Sequence, residues 1–397
     1  MSTAVMTNRL DLTSFAETSL KVAARSWFVV TVLGQLVFAI AVAVFYGLTA
    51  LRGDYHGWKF SGGFSPGITK ANWAVVMHLV SAVFIMLAGA LQLVPQVRQR
   101  FPVFHRWNGR VYMLAAVALS AAGVYMTWFR AGVGDLTQHM GSTLNAILIW
   151  LFAAVALRYA LARDFKTHRR WALRLFMVVS ASWFFRIGLF LSFLIFKGPF
   201  GFDAVTFTGP FLSFMVFAQY LVPLAFLEIY LRAQDRPGAL RRVAAAGMVF
   251  VLTIAMAAGL FATTMAIWVP DVKAGLDPRR PISETLSATI ASGGMDAAVK
   301  QYHELKAAQP ATYNFDEVEL NTLGYKFLHA GKFNEAIRIF QLNIEAFPQS
   351  SNAYDSLGET YMDSGDRALA IANYQKSLDL NPKNSSAAKM IQKMKAQ

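Results

Sequence analysis

Seven runs of about 20 or more mostly apolar residues constrain this chain more than any other feature; they lie near 27–51, 73–95, 110–129, 139–162, 171–196, 210–231 and 245–269. A helix rising ~1.5 Å per residue needs about 20 such residues to cross a hydrocarbon core about 30 Å thick. Lipid offers no partners to backbone N–H and C=O groups, so each run must satisfy its own by becoming helical. The expectation is an all-α fold that begins as a seven-helix transmembrane bundle. Composition agrees: 55% of residues are hydrophobic, only 15% are charged, and the mean hydropathy is +0.40. The first run is too long, and too weakly followed by small residues, to be a removed signal peptide, so it reads as a retained anchor.

The net charge of +14 is unevenly spread. Residues 1–280 hold 26 Lys and Arg against 10 Asp and Glu, whereas the remainder holds 11 against 13. Basicity therefore belongs to the membrane half, which removes the main support for nucleic-acid binding. Within that half it alternates from loop to loop. The first 26 residues (Arg9, Lys21, Arg25), the second-to-third loop (Arg98, Arg100, Arg106, Arg110), the fourth-to-fifth (Arg163, Lys166, Arg169, Arg170, Arg174) and the sixth-to-seventh (Arg232, Arg236, Arg241, Arg242) are basic, while the loop at 130–137 has Arg130 alone. By the positive-inside rule the N-terminus is cytoplasmic, and seven crossings put the C-terminus on the other side. The chain has no cysteine, which excludes disulfides, thiolate metal sites and cysteine nucleophiles.

After a linker at 270–281 the pattern changes to amphipathic stretches over 282–397. Leu320, Leu323, Gly324, Phe327, Gly331, Ala336, Phe340 and Pro348 are matched 34 residues on by Tyr354, Leu357, Gly358, Tyr361, Gly365, Ala370, Tyr374 and Pro382. That period resembles the tetratricopeptide repeat family. A degenerate earlier unit carries Gly293, Ala298, Tyr302 and Pro310, with four residues inserted near Ala311–Asp316. The resemblance implies an α-solenoid with a concave surface for a protein or peptide partner, where Tyr354, Tyr361 and Tyr374 are the candidate partner-binding residues. A rigid spacer or capping module is the alternative. Lys389, Lys393 and Lys395 read as a polar cap.

Of seven histidines, His56 falls in an outer loop and His303 and His329 in the repeats. His78 and His139 share the outer depth of the bundle; His105 and His168 share the inner one. Two His on alternate helices at each face is the arrangement that holds two six-coordinate b-type haems. Flanking arginines suit haem propionates: Arg106, Arg110, Arg169 and Arg170 at the inner pair, and the intramembrane Arg186 at the outer. From His139 to His168 is about 43 Å if all is helix at ~1.5 Å per residue, more than the hydrocarbon core, so at least one pair sits at an interface. The alternative is that His105 and His168, with their arginines, anchor helix ends or contact anionic head groups. Gln35, Gln92, Asn145 and Gln219 read as interhelical hydrogen-bond glue, and Glu228 as a partner of Arg232 or water. Gly89, Gly109, Gly123 and Gly247 read as close helix approaches, and Trp27, Trp73, Trp171 and Trp268 as interface anchors.

Residues 73–230 resemble a family of bacterial predicted membrane proteins through His78, the Pro95-to-His105 stretch, His105-Arg106-x-x-Gly109-Arg110 and His168-Arg169-Arg170-Trp171. The His-x-Trp-x-Gly phrase is also similar to the diheme transmembrane cytochrome b and ferric reductase superfamily, which implies axial haem ligation by such histidines, haem b as cofactor and a bacterial inner membrane location. The chain has no phosphate-binding glycine loop, HExxH helix or nucleophile elbow, so any enzymatic activity would be that of a transmembrane oxidoreductase working through a bound redox group. Two functions follow: a transmembrane electron carrier whose repeats dock an outer partner, or a non-catalytic membrane-anchored scaffold that presents the repeats for protein–protein interaction.

Overall fold

The computed structural model describes residues 2–52, 69–129, 134–203, 206–236 and 238–396, almost all of them helical. They form two compact units, residues 1–276 and 277–397. His56 and Arg130 lie outside the described residues. In the first unit the helices are α1 (Ser2–Leu51), α2 (Thr69–Leu93), α3 (Pro95–Arg100), α4 (Pro102–Phe129), α5 (Leu136–Leu161), α6 (Phe165–Val179), α7 (Ala181–Phe196), α8 (Pro210–Asp235), α9 (Ala239–Thr263) and α10 (Val269–Leu276). Among the described residues six helices are long and apolar enough to cross a membrane, and α6 with α7 supplies a seventh if that bent pair is one span.

Two boundaries differ from the apolar runs, for visible reasons. Helix α1 begins 25 residues before the run at 27 because Ala16, Leu20 and Ala23 continue an apolar stripe at helical spacing. Leu20 and Ala23 of that stripe pack on Ala233 of α8 and Ala245, Ala246 and Val249 of α9. The run at 171–196 is not one straight helix: α6 and α7 meet at 53° across Ser180. Ser180 is 1% exposed, and its hydroxyl accepts a hydrogen bond of 3.0 Å from Gln35 Nε2 of α1. Gln35 therefore does act between helices, at the bend.

Other expectations about the bundle resolve as follows. Glu228 pairs with Arg174 rather than Arg232, at 2.5 Å, because α6 and α8 pack side by side at their basic ends. Trp73 is largely exposed, as an interface anchor would be, but Trp268 is only 3% exposed and its ring meets Phe38 at 5.4 Å. A π-turn at Thr264–Trp268 sets that ring inward, and α10 continues the chain against α1. The first part of the expected linker is thus helix. Gly89 and Gly109 lie against Tyr112 and Gln92 respectively, whereas Gly247 has open space beside it.

The second unit is a stack of helix pairs: α11 (Ile282–Ala308), α12 (Glu317–His329), α13 (Phe333–Ala346), α14 (Ser351–Ser364), α15 (Arg367–Leu380) and α16 (Ser385–Ala396). Helix α11 is two helices, broken at Gly294, whose φ of +82° is open to glycine at little cost. Gly331 and Gly365 turn the chain at the equivalent points of the next two pairs. The repeat is real at the level of packing. Ala298, Ala336 and Ala370 are each 0% exposed, and the aromatics that follow them, Tyr302, Phe340 and Tyr374, are at most 2% exposed. The four inserted residues have a use: Tyr313–Asn314 pairs in parallel with Arg280–Pro281. The lysine-bearing tail is helix α16, which buries Ala387, Ile391 and Met394 as a closing layer over α15.

Candidate functional site

Loops rich in arginine gather at one end of the membrane unit because α1, the α2–α4 connection, the α5–α6 turn and the α8–α9 turn all meet there. They surround a cavity of about 1720 Å³. His105 and His168 both line it, together with Arg106, Arg110 and Arg169. Of the inner candidates only Arg170 is absent, because it forms an ion pair with Asp235. The sequence also missed Lys21, Arg25, Arg98 and Lys166 as lining residues; their position in basic loops was visible, but not their convergence.

The two histidines are held differently. Asp164 caps α6 by accepting from the Thr167 amide at 3.1 Å, and these bonds hold its carboxyl below the usual range. One turn on, His168 Nδ1 sits 2.8 Å from the Ala156 carbonyl, which leaves Nε2 as the free nitrogen. His105 is placed by the helix start at Pro102, and Gln92 Nε2 donates to its carbonyl at 2.9 Å. Its Nδ1 is buried without a hydrogen-bond partner. Arg110 lies over the Trp107 ring at 4.9 Å.

At the other depth the histidines flank α4. His139 meets the Trp128 ring edge-on at 5.5 Å, and His78 lies about 4 Å from where a side chain on Gly123 would begin. His78 Nδ1 and His139 Nε2 are buried without partners. Neither residue lines the basic cavity. Arg186 donates to the Ser182 carbonyl at 2.8 Å and faces the Phe38 ring at 5.5 Å, and it also interacts electrostatically with Tyr46 of α1, Asp271 of α10 and His78 of α2. Among the described residues no group of three or more His, Cys, Asp or Glu is placed to hold a metal ion. Iron held here by two imidazoles would have to bring its remaining ligands with it, as haem does. The inner pair has a cavity, a fixed tautomer at His168 and cations at hand.

In the repeat unit the pairs are tied by hydrogen bonds one repeat apart. Tyr325 donates to Glu359 at 2.7 Å, Ser356 to Asn321 at 3.0 Å and Asn384 to Asp355 at 2.8 Å. Tyr354 and Tyr361 are half-buried and keep part of their surface outward. Tyr374 is 2% exposed and packs on Gly358, so it acts on a partner only through the helix pair it holds. Burial raises the Glu319 and Asp355 carboxyls above their usual range, even though Ser283 and Asn384 donate to them.

Comparison with known proteins agrees with this division. A stretch of 63 residues is 38% identical to cellulose synthase operon protein C of Escherichia coli (strain K12), covering 16% of this chain and 5% of that protein. A stretch of 61 residues is 33% identical to Superkiller complex protein 3 of Homo sapiens, covering 15% of this chain and 4% of that protein. The chain thus spans a small fraction of the curated relatives it matches. Residues 351–384 match the tetratricopeptide repeat model, and residues 75–222 match the model of the family described as predicted membrane protein (DUF2306). The chain joins a multi-pass membrane segment similar to that family to a unit similar to tetratricopeptide repeats.

Proposed function

We propose that this chain is a membrane-anchored docking protein whose repeat unit holds a protein or peptide partner. The observation that carries the reading is the stack of helix pairs with equivalent buried residues, with Tyr354 and Tyr361 left partly exposed for contact. By the positive-inside rule the basic loops support an N-terminus in the cytoplasm of a bacterial cell, and on seven crossings of the inner membrane the repeats would lie on the periplasmic or extracellular side. The test is a photo-crosslinking amino acid at position 354 or 361 of the full chain in its native membrane. A discrete adduct at both positions, absent when the crosslinker replaces the exposed Leu240 of the membrane unit, is expected; no adduct above that control refutes docking at this surface.

A second reading is favoured by the buried, partnerless imidazole nitrogens of His78, His105 and His139 and by the cations lining the cavity with His105 and His168: haem b held by His105 and His168, with Arg106, Arg110 and Arg169 facing its propionates, and a second haem at His78 and His139 beside Arg186. Haem would supply one-electron transfer across the bilayer, making the docked partner an electron donor or acceptor. A reduced-minus-oxidised spectrum of the purified protein, made with ample haem, decides it. Absorption lost in His168→Ala supports the reading, and a folded sample with no haem band ends it.

A further inference from the structure

The arginines at the basic end of the bundle are of two kinds. Arg170, Arg174 and Arg242 are paired with Asp235, Glu228 and Glu17. Lys21, Arg25, Arg98, Arg106, Arg110 and Arg169 have no acidic partner among the described residues, and all six line the same cavity. Among the described residues none that lines that cavity is acidic. Like charges converging without counter-charge repel one another unless an anion completes the site.

Beyond this mouth the walls become apolar. Phe184 and Leu191 of α7, Phe214 and Phe226 of α8, and Leu252 and Met256 of α9 line the depth. Gln219 is the polar residue there, and its amide is spent on the Val216 carbonyl of its own helix at 2.8 Å. The lining on α8 runs from Phe214 to Gln234, about 30 Å at 1.5 Å per residue. One leaflet of a bilayer, head group included, measures roughly 20 Å. A cavity of about 1720 Å³ also exceeds the roughly 300–1,000 Å³ common for compact ligands.

We propose that this cavity binds one acidic phospholipid, its phosphate at the unpaired cations and its acyl chains along α7, α8 and α9. The inference does not depend on the docking reading. It rests on the cations and the apolar depth, whereas the haem reading rests on the imidazoles, and a haem at His105 and His168 would take the same head space.

Native mass spectrometry of the full chain, released from nanodiscs of equal phosphatidylglycerol and phosphatidylcholine, tests it. One phosphatidylglycerol per chain should be retained and phosphatidylcholine lost. Each cation near an anionic head group carries about a factor of five, so the triple variant Arg98→Gln, Arg106→Gln, Arg169→Gln should weaken retention about a hundredfold. Arg100→Gln, which does not line the cavity, should change nothing. Ala218→Trp fills the depth with the cations intact and should also release the lipid; tryptophan emission and size-exclusion profiles verify that these variants remain folded. Equal retention of both lipids overturns the proposal, as does displacement by excess inorganic phosphate, which would make the site one for the free anion. Retention unchanged in folded Ala218→Trp overturns the placement of the chains. A haem band accompanied by exclusion of lipid overturns it in favour of haem.

Discussion

Adding one methyl group to equivalent glycines of successive repeats should have unequal effects, and the structure sets the difference. A Cβ on Gly324 would stand 2.5 Å from Phe340 Cζ and 2.6 Å from Cε1; on Gly358 the nearest atom would be Tyr374 Cδ1 at 3.1 Å. Phe340 cannot retreat easily, because it is 0% exposed and packs edge-on against Tyr325 at 5.3 Å. Forcing a methyl into a filled core costs about 1–3 kcal/mol, while Gly to Ala within a helix returns about 0.5–1 kcal/mol. The net for Gly324→Ala is a loss of ~1–2 kcal/mol. Gly358→Ala needs a shift of only a few tenths of an ångström and should fall within ~0.5 kcal/mol of wild type. Pulse proteolysis of the full chain across a urea series reads the repeat unit directly, and the midpoint shift multiplied by the slope gives the free energy. Trimming the ring in Gly324→Ala, Phe340→Leu should recover part of the loss, with a coupling of about 1 kcal/mol. Equal midpoints for the two alanine variants, or a gain from Gly324→Ala, would refute the packing argument.

Replacing Gly331 or Gly365 by Ala tests backbone conformation alone, since both hold positive φ with nothing within 4 Å of a new Cβ; each should lower the same urea midpoint by about 1 kcal/mol. Glu228→Gln leaves the partly buried Arg174 facing a neutral amide in place of its carboxylate, and thermal unfolding in detergent should report a loss of about 1.5–3 kcal/mol. Burial raises Glu319 and Asp355 in the folded state, so folding favours their protonated forms; their contribution is full below the unfolded carboxylate values and is lost as pH rises through the folded ones. The urea midpoint of the repeat unit should therefore carry a component that falls over that range, and Glu319→Gln should flatten it. Because the chain lacks cysteine, single cysteines at Ser26 and Ser283 can be labelled in intact cells. Opposite sidedness is expected if α6 and α7 make one span; labelling from the same side would make the pair re-entrant and move the repeats to the cytoplasm.

The apolar runs made the helices legible because a membrane span must satisfy its own backbone, and the 34-residue period made the repeats legible because each turn recurs with its small residue and its aromatic. What could not be read were events that depend on a neighbour. Nothing in the run at 171–196 announces a bend at Ser180, which is tied to Gln35, 145 positions earlier in the chain. The break in the degenerate repeat falls at Gly294, not at the Gly293 that the offsets favoured, because two adjacent glycines are equivalent to a period but not to a backbone. Trp268 looks like an interface anchor until a π-turn rotates it inward.

The candidate site shows the same limit in its electrostatics. A count of Lys and Arg by loop supports one orientation of the bundle, because orientation depends on which side the charges occupy and not on what each one touches. Function depends on the second question. Arg169 and Arg170 are neighbours in sequence, yet Arg170 is neutralised by Asp235 while Arg169 faces the cavity unpaired. Two residues on, Trp171 packs against Phe152, and Arg174 lies over the Trp171 ring on its way to Glu228. One turn and a half of α6 therefore divides its cations between holding the helices together and leaving charge available to a ligand. Any occupant of the cavity must answer that surplus, so a neutral ligand is the class the structure disfavours most.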